Sequence, residues 1–310
     1  MNTLHIRLFR KFQAELDGRA LRELDALKVQ ELLCYLLLNR DRPYHREALA
    51  GLLWGDNTTA QSKKYLRQAL WQLQLAFGSG GERPPAGPLA IDPDWVSIVS
   101  TPDWWLDVQA FDEAMTRVRR IPGQALEPAQ VAALEEAVQL YRGDLLEGWY
   151  QDWCLYQRER LQNSYLDLLD KLMAYCEAHQ QYEAGTEYGD RILHCDRAHE
   201  RTHWRLMRLR YLAGDRAGAL RQYERCVAAL EQELGVKPSQ RTVALCEQIR
   251  ADIVVDLAFP NDARSEPQPP SATLLPMLER LKSLQATLNS LQYQVDQELQ
   301  ALEEVLSNSR

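Results

Sequence analysis

The hydrophobic period of this chain changes twice within its first hundred residues. Leu4, Ile6 and Leu8 alternate with polar neighbours, Phe12, Ala14 and Leu16 do so again, and Asp17-Gly18 follows as a turn. A two-residue period predicts short strands of a small antiparallel sheet. From Lys28 the period becomes 3.6: Val29, Leu32, Leu33, Leu36 and Leu37 fall on one stripe, and Pro43 closes the helix. A second helix is predicted from about Arg46 to Trp54 on Leu49, Leu52 and Leu53, and a third from near Gln61 to Phe77, just before Gly78. Residues 78–88 are rich in Gly and Pro and read as loop. Beyond them, two alternating runs flank Asp92-Pro93-Asp94, a hairpin pattern.

Strands, three helices and a terminal hairpin, in that order, describe a winged helix-turn-helix over residues 1–100. After about Asp107 the pattern is helical to about Phe259, and it repeats at a period of 34. Leu172 aligns with Leu206, Tyr175 with Leu209, Ala178 with Leu212, and Ile192-Leu193 with Cys226-Val227. That period is the signature of tetratricopeptide-like repeats, which bury their apolar faces by stacking. A helical-repeat domain is expected over 107–259 and a Pro-rich, semi-rigid linker over 260–273. In the last segment, 274–307, Leu274, Met277, Leu281, Leu284, Leu288, Leu291, Val295, Leu302 and Val305 keep a 3-4 spacing broken at Glu298. Such a seam predicts a coiled coil and self-association, a homodimer by symmetry. The fold class is thus mainly α.

Charge narrows the picture. The net charge of −8 argues against a general nucleic-acid binder, but it is unevenly spread. Residues 1–100 carry 13 basic and 11 acidic side chains, about +2, which leaves about −10 on the other 210. DNA binding is therefore open to the N-terminal part alone. The six cysteines form no C-x-x-C pair, which excludes the usual zinc-ribbon and redox spacings and suits reduced thiols. No stretch has the length of a membrane helix and no signal peptide opens the chain, so a cytoplasmic protein without a membrane partner is expected.

Several runs resemble a known family in the family's own order. D-G-R-A-L (17–21), K-V-Q-E-L-L-C-Y-L-L-L-N (28–39), A-L-A-G-L-L-W-G-D (48–56) and A-Q-S-K-K-Y-L-R-Q-A-L-W-Q-L-Q-L-A-F-G (60–78) resemble the winged helix of antibiotic-regulatory-protein type regulators, the last being its recognition helix. L-Y-R-G-D-L-L (140–146) and the stretch from A-G-D-R-A-G-A-L to E-L-G-V-K-P (213–238) resemble the bacterial transcriptional activator domain. The resemblance covers roughly 4–255. It implies a DNA-binding activator at promoters with repeated sites, with promoter DNA and RNA polymerase as partners.

The residues agree in part. With Leu66, Leu70, Leu73 and Phe77 as the core stripe of the third helix, Lys63, Lys64, Arg67, Gln68, Trp71, Gln72 and Gln74 face outward or lie near the edges. Lys and Arg neutralise phosphates or read guanine, and Gln pairs with adenine. An ordinary solvated amphipathic helix has the same pattern. Two departures from the family weaken the basic surface: Gln72-Leu73-Gln74-Leu75 holds no cation, and Asp92 and Asp94 sit at the wing's turn. Weak DNA binding is expected unless the protein dimerises or is assisted.

His199-Glu200-Arg201-Thr202-His203 spells H-E-x-x-H, the zincin signature, with Glu224 at the distance of a third ligand. A zinc metallopeptidase is the remote alternative. The same run, however, occupies the place of a polar segment between repeats, where an exposed helix start is the plainer expectation. Trp104-Trp105, Trp149, Trp153 and Trp204 suit core packing better than a ligand cage on the concave face. No phosphate loop or G-x-S-x-G elbow occurs, so no enzyme, cofactor or metal is expected. The competing non-enzymatic reading is a protein-interaction adaptor whose winged helix has lost DNA binding.

Overall fold

A computed structural model of the chain describes residues 4–21, 24–78, 88–99 and 104–252. The order of elements is β1 (Leu4–Arg7), β2 (Gln13–Leu16), β3 (Arg19–Ala20), α1 (Leu27–Leu38), β4 (Tyr44–His45), α2 (Arg46–Trp54), α3 (Thr59–Gly78), β5 (Leu89–Ile91), β6 (Trp95–Ile98) and β7 (Trp104–Leu106). This is the predicted winged helix, with α2 at the bounds read from the sequence. β1 and β2 pair antiparallel with Ile6 opposite Ala14, so the apolar members of the two alternating runs share the buried face. The sheet runs β3-β2-β1-β7, and β7 lies parallel to β1, which the local pattern did not show. The hairpin β5-β6 forms a second sheet with β4.

The helical stripes pack as their period requires. Val29, Leu32, Leu33, Leu36 and Leu37 are all buried. On α2 the core face is Leu49, Ala50, Leu53 and Trp54, whereas Leu52, expected on the stripe, is exposed. The i, i+4 pair Leu49–Leu53 sets that face, and Leu52 turns off it. Glu31, buried on α1, is matched by Lys28 at 2.8 Å, and the same ammonium donates to the Leu53 carbonyl at 2.9 Å, tying α1 to α2.

β7 runs straight into α4 (Asp107–Val118), the first helix of the next part. Asp107 is 3% exposed, and its carboxylate accepts from the Leu8 N–H at 2.9 Å, the Phe9 N–H at 3.0 Å and the Val108 N–H at 2.7 Å. Burial pushes its carboxyl above the usual range, and the N–H groups pull it back. After α5 (Pro128–Leu140) the chain returns to the same place: Leu146 donates its N–H to the Leu8 carbonyl, and Arg10 donates to that of Asp144. Arg158, on α6 (Asp152–Ala178), fixes this loop by donating to the carbonyls of Leu145, Leu146 and Trp149 at 2.9–3.0 Å. Phe9, Phe111, Tyr141 and Tyr165 pack ring to ring beneath it.

The repeats follow as α7 (Tyr182–Cys195), α8 (Glu200–Leu212), α9 (Arg216–Leu234) and α10 (Gln240–Ala251). α6 ends at Ala178 and α8 at Leu212, and α7 starts at Tyr182 and α9 at Arg216, both steps of 34. Leu172 and Leu206, like Ile192 and Cys226, are buried at equivalent places. α7 sits close because it is small where it touches: a Cβ on Gly189 would lie 2.6 Å from Leu206 Cδ2 and 3.0 Å from Met173 Cε. The linker and the 3-4 seam from Leu274 to Val305 lie outside the described residues.

Asp107→Ala leaves the Leu8 and Phe9 amides buried without their acceptor and is expected to cost about 2–4 kcal/mol of unfolding free energy. Asp107→Asn retains one carbonyl acceptor and should cost clearly less. Denaturant titration of the two variants checks the order; equal losses would mean that these hydrogen bonds are not what the carboxylate contributes.

Candidate nucleic-acid interface

α3 is held by its first turn and its buried stripe. Ser62 is buried, and its hydroxyl donates to the carbonyl of Trp54 at 2.8 Å, fastening the end of α2 to the start of α3. Leu66, Leu70, Leu73 and Phe77 are buried, joined by Ala69 and Ala76. With that face fixed, Lys63, Lys64, Arg67, Gln68, Trp71 and Gln74 are exposed, and Gln72 is half-buried at the edge. Tyr65 and Leu75 are exposed on the same helix, although the sequence pattern had not singled them out.

The cations are not all equivalent. Lys63 pairs with Glu47 of α2, and the ammonium beside it holds the Glu47 carboxyl below the usual range. Among the described residues Lys64 and Arg67 have no such partner. The wing is pinned next to them: the Arg46 N–H donates to the Asp94 carbonyl at 2.9 Å, and its guanidinium reaches the carbonyls of Asp92 and Pro93 at 3.3 and 3.4 Å. His45 packs edge-on against Trp95 at 5.3 Å across the same junction. A shallow cleft between α2, α3 and the wing thus brings Arg46, Lys63 and Arg67 together with Glu47 and Asp94. Glu47 and Arg46 escaped the sequence reading because their partners lie on other elements.

Residues 106–250 match the family model of the bacterial transcriptional activator domain. This part of the chain is a bacterial transcriptional activator domain. EmbR from Mycobacterium tuberculosis, solved in complex with a low-affinity phosphopeptide, shares the fold at a TM-score of 0.68 and 21% identity, over 83% of this chain and 67% of that one. The Sgt2 tetratricopeptide domain from Aspergillus fumigatus is 17% identical, over 52% of this chain and 94% of that one, at a TM-score of 0.31 that carries no weight. No curated protein matches the sequence. Among the described residues no helix is long and apolar enough to cross a membrane.

Within the activator domain the H-E-x-x-H run is a packing device, and the expectation of an exposed helix start is corrected. His203 is 3% exposed. Its Nε2 donates to the Arg197 carbonyl at 2.9 Å, which leaves Nδ1 as the acceptor of the Gln222 amide of α9 at 2.8 Å. Glu200 reaches α10, accepting from the Ser239 N–H at 2.7 Å and the Thr242 hydroxyl at 2.5 Å. Both His203 ring nitrogens and one Glu200 carboxylate oxygen are thus hydrogen-bonded, to the α7–α8 connection, α9 and the start of α10. Glu224 is exposed, and no group of three His, Cys, Asp or Glu among the described residues is placed to hold a metal. Trp104 and Trp204 are buried, and Trp149 and Trp153 pack against each other at 6.2 Å.

Burial lowers the His203 pKa, partly opposed by the contacts with Arg197 and Gln222. A depressed folded-state value means that the unfolded chain binds the proton first. Stability is then full above about pH 6.5 and falls as the pH drops from there through the folded-state value. Measured by denaturant unfolding between pH 7.5 and 5, this loss should be smaller in His203→Gln than in the native protein; equal pH dependence in the two would show that His203 is not its source.

Proposed function

We propose that this regulator binds promoter DNA by laying α3 in the major groove, and that it acts as an activator in the cytoplasm, contacting RNA polymerase or a second copy of itself through the helical repeats. The observation that carries this is the exposed face of α3: two cations, Lys64 and Arg67, and two amides, Gln68 and Gln74, presented on a helix whose opposite face is locked into the core. Side chains of these types are the ones that meet phosphates and base edges. We further propose that the seam Leu274, Met277, Leu281, Leu284, Leu288, Leu291, Val295, Leu302 and Val305 pairs two copies. Tethering two winged helices turns the second DNA contact into an intramolecular event, which offsets a weak basic surface. The adaptor reading is favoured by one feature, the consumption of Lys63 by Glu47 beside an acidic wing turn.

Retardation of the gene's own upstream DNA at low and at physiological salt separates the two readings. Binding at low salt is expected; none at either salt, by folded protein, leaves the adaptor. Lys64→Ala and Arg67→Ala should each lower the salt slope by about 0.9, while Glu47→Gln, which frees Lys63, should raise it. A slope untouched by all three would place the DNA elsewhere.

The seam has its own test. Removal of residues 270–310 should convert a dimer to a monomer by light scattering and weaken binding to a two-site promoter far more than to a single site. A full-length monomer at micromolar concentration would end the pairing proposal.

A further inference from the structure

α3 carries its charge and its apolar surface at different ends. Lys63, Lys64 and Arg67 occupy its first half, and beyond them the exposed positions are Gln68, Trp71, Gln74 and Leu75. Trp71 is 60% exposed and Leu75 53%, among the most exposed large apolar side chains of the described residues. The core of the winged helix is complete without them, because Leu66, Leu70, Leu73 and Phe77 already fill the buried stripe. Gln68, Trp71 and Leu75 are spaced by three and four residues, so they form one continuous strip on the helix surface. From Lys64 to Leu75 the helix rises about 16 Å, more than the ~12 Å width of the major groove. A helix laid across it therefore meets phosphates at an end and base edges along its middle, where Gln68 and Trp71 stand.

The chemistry of that strip selects among base pairs. Adenine offers an acceptor and a donor side by side, which one glutamine amide satisfies in full, and thymine offers the only apolar group on the major-groove edge, its 5-methyl. A G·C pair lacks that methyl and would set the cytosine amine and the guanine acceptors against the apolar face of the indole and Leu75, where they lose water without gaining a partner. We propose that Trp71, with Leu75 one turn on, covers thymine 5-methyl groups beside adenines paired by Gln68, so that the preferred site is A·T-rich under the middle of α3. Lys64 and Arg67 then serve the flanking phosphates. This rests on the DNA-binding reading above, yet it fails separately from it.

The test uses the full-length protein and a pool of duplexes with a randomised core, selected at low salt. Enrichment of a run of A·T pairs is expected. The enriched duplex is then remade with deoxyuridine for thymine, which removes the methyl and keeps every base-pairing hydrogen bond; affinity should fall about fourfold per covered methyl. Trp71→Ala should narrow the difference between the two duplexes, Trp71→Ala with Leu75→Ala should abolish it, and both should keep the native salt slope; because Trp71 and Leu75 are exposed the substitutions leave the core intact. The thymine–uracil comparison on the native protein needs no variant at all. A G·C-rich selected site, or equal affinity of the native protein for both duplexes, overturns the proposal and assigns Trp71 and Leu75 to another contact. Failure to bind any duplex at low salt removes the DNA-binding reading itself, and this inference with it.

Discussion

Asp107 is the point on which the described structure turns. It is the first residue of α4 and follows β7 directly, so one side chain closes the winged-helix sheet and opens the helical repeats. Its carboxylate takes up backbone N–H groups of Leu8 and Phe9, which have left β1 and would otherwise be buried without partners. The loop after α5 supplies the other half of the clasp, with Leu146 bonded to Leu8 and Arg10 bonded to Asp144. Leu146 and Arg10 adopt φ of +47° and +77°, conformations that non-glycine residues hold only where the surroundings impose them. Since β1 is the strand against which both β2 and β7 register, the orientation of the winged helix follows from this clasp.

Much of this was legible in the sequence, for an identifiable reason. The bounds of α2, the stripe of α3 and the step of 34 between repeats are periodic signals, and period is what a packed helix writes into its own residues. β7 left no such trace: three residues, Trp104–Leu106, paired in parallel with a strand a hundred positions away, are too short to alternate visibly. Asp107 was a single acid among many, and only its burial marks it out. Lys63 could be placed on the outer face of α3 from spacing, but not its pairing with Glu47, because the two lie on different helices and no local pattern links them.

The H-E-x-x-H run shows how one spacing serves two kinds of chemistry. One helical turn brings His199 and His203 to the same side, as a metal site needs, but it also aims His203 and Glu200 at whatever helices stack on α8. Here those are α9 and α10, and His203 Nδ1 and Glu200 Oε1 are hydrogen-bonded to them. Arg205 does the same on the α6 side, 3% exposed and bonded to Asp170 at 2.6 Å and Glu177 at 3.2 Å. A buried cation left without those carboxylates would be costly, so only one stacking register satisfies it. The apolar stripes drive the repeats together, and these polar groups decide which turn faces which.

As a proposed DNA interface, α3 differs in kind from a strongly basic one. Phosphate contacts supply affinity that is indifferent to sequence and fades with salt, whereas amide and apolar contacts in the groove discriminate among bases and depend on salt far less. By pairing Lys63 with Glu47 and placing Asp92 and Asp94 at the wing, this chain would, on the proposed reading, give up part of the first kind while keeping the second. On the proposed reading, a single winged helix of this make would linger little on random DNA and hold a correct site only modestly. Selectivity is then a matter of the ratio between the two, and that ratio improves as the non-specific part is reduced. The affinity surrendered has to return from somewhere that does not reward every sequence equally. A second α3 tethered to the first, as proposed, would do that, because its contribution is realised only where two correct sites lie within reach of one another.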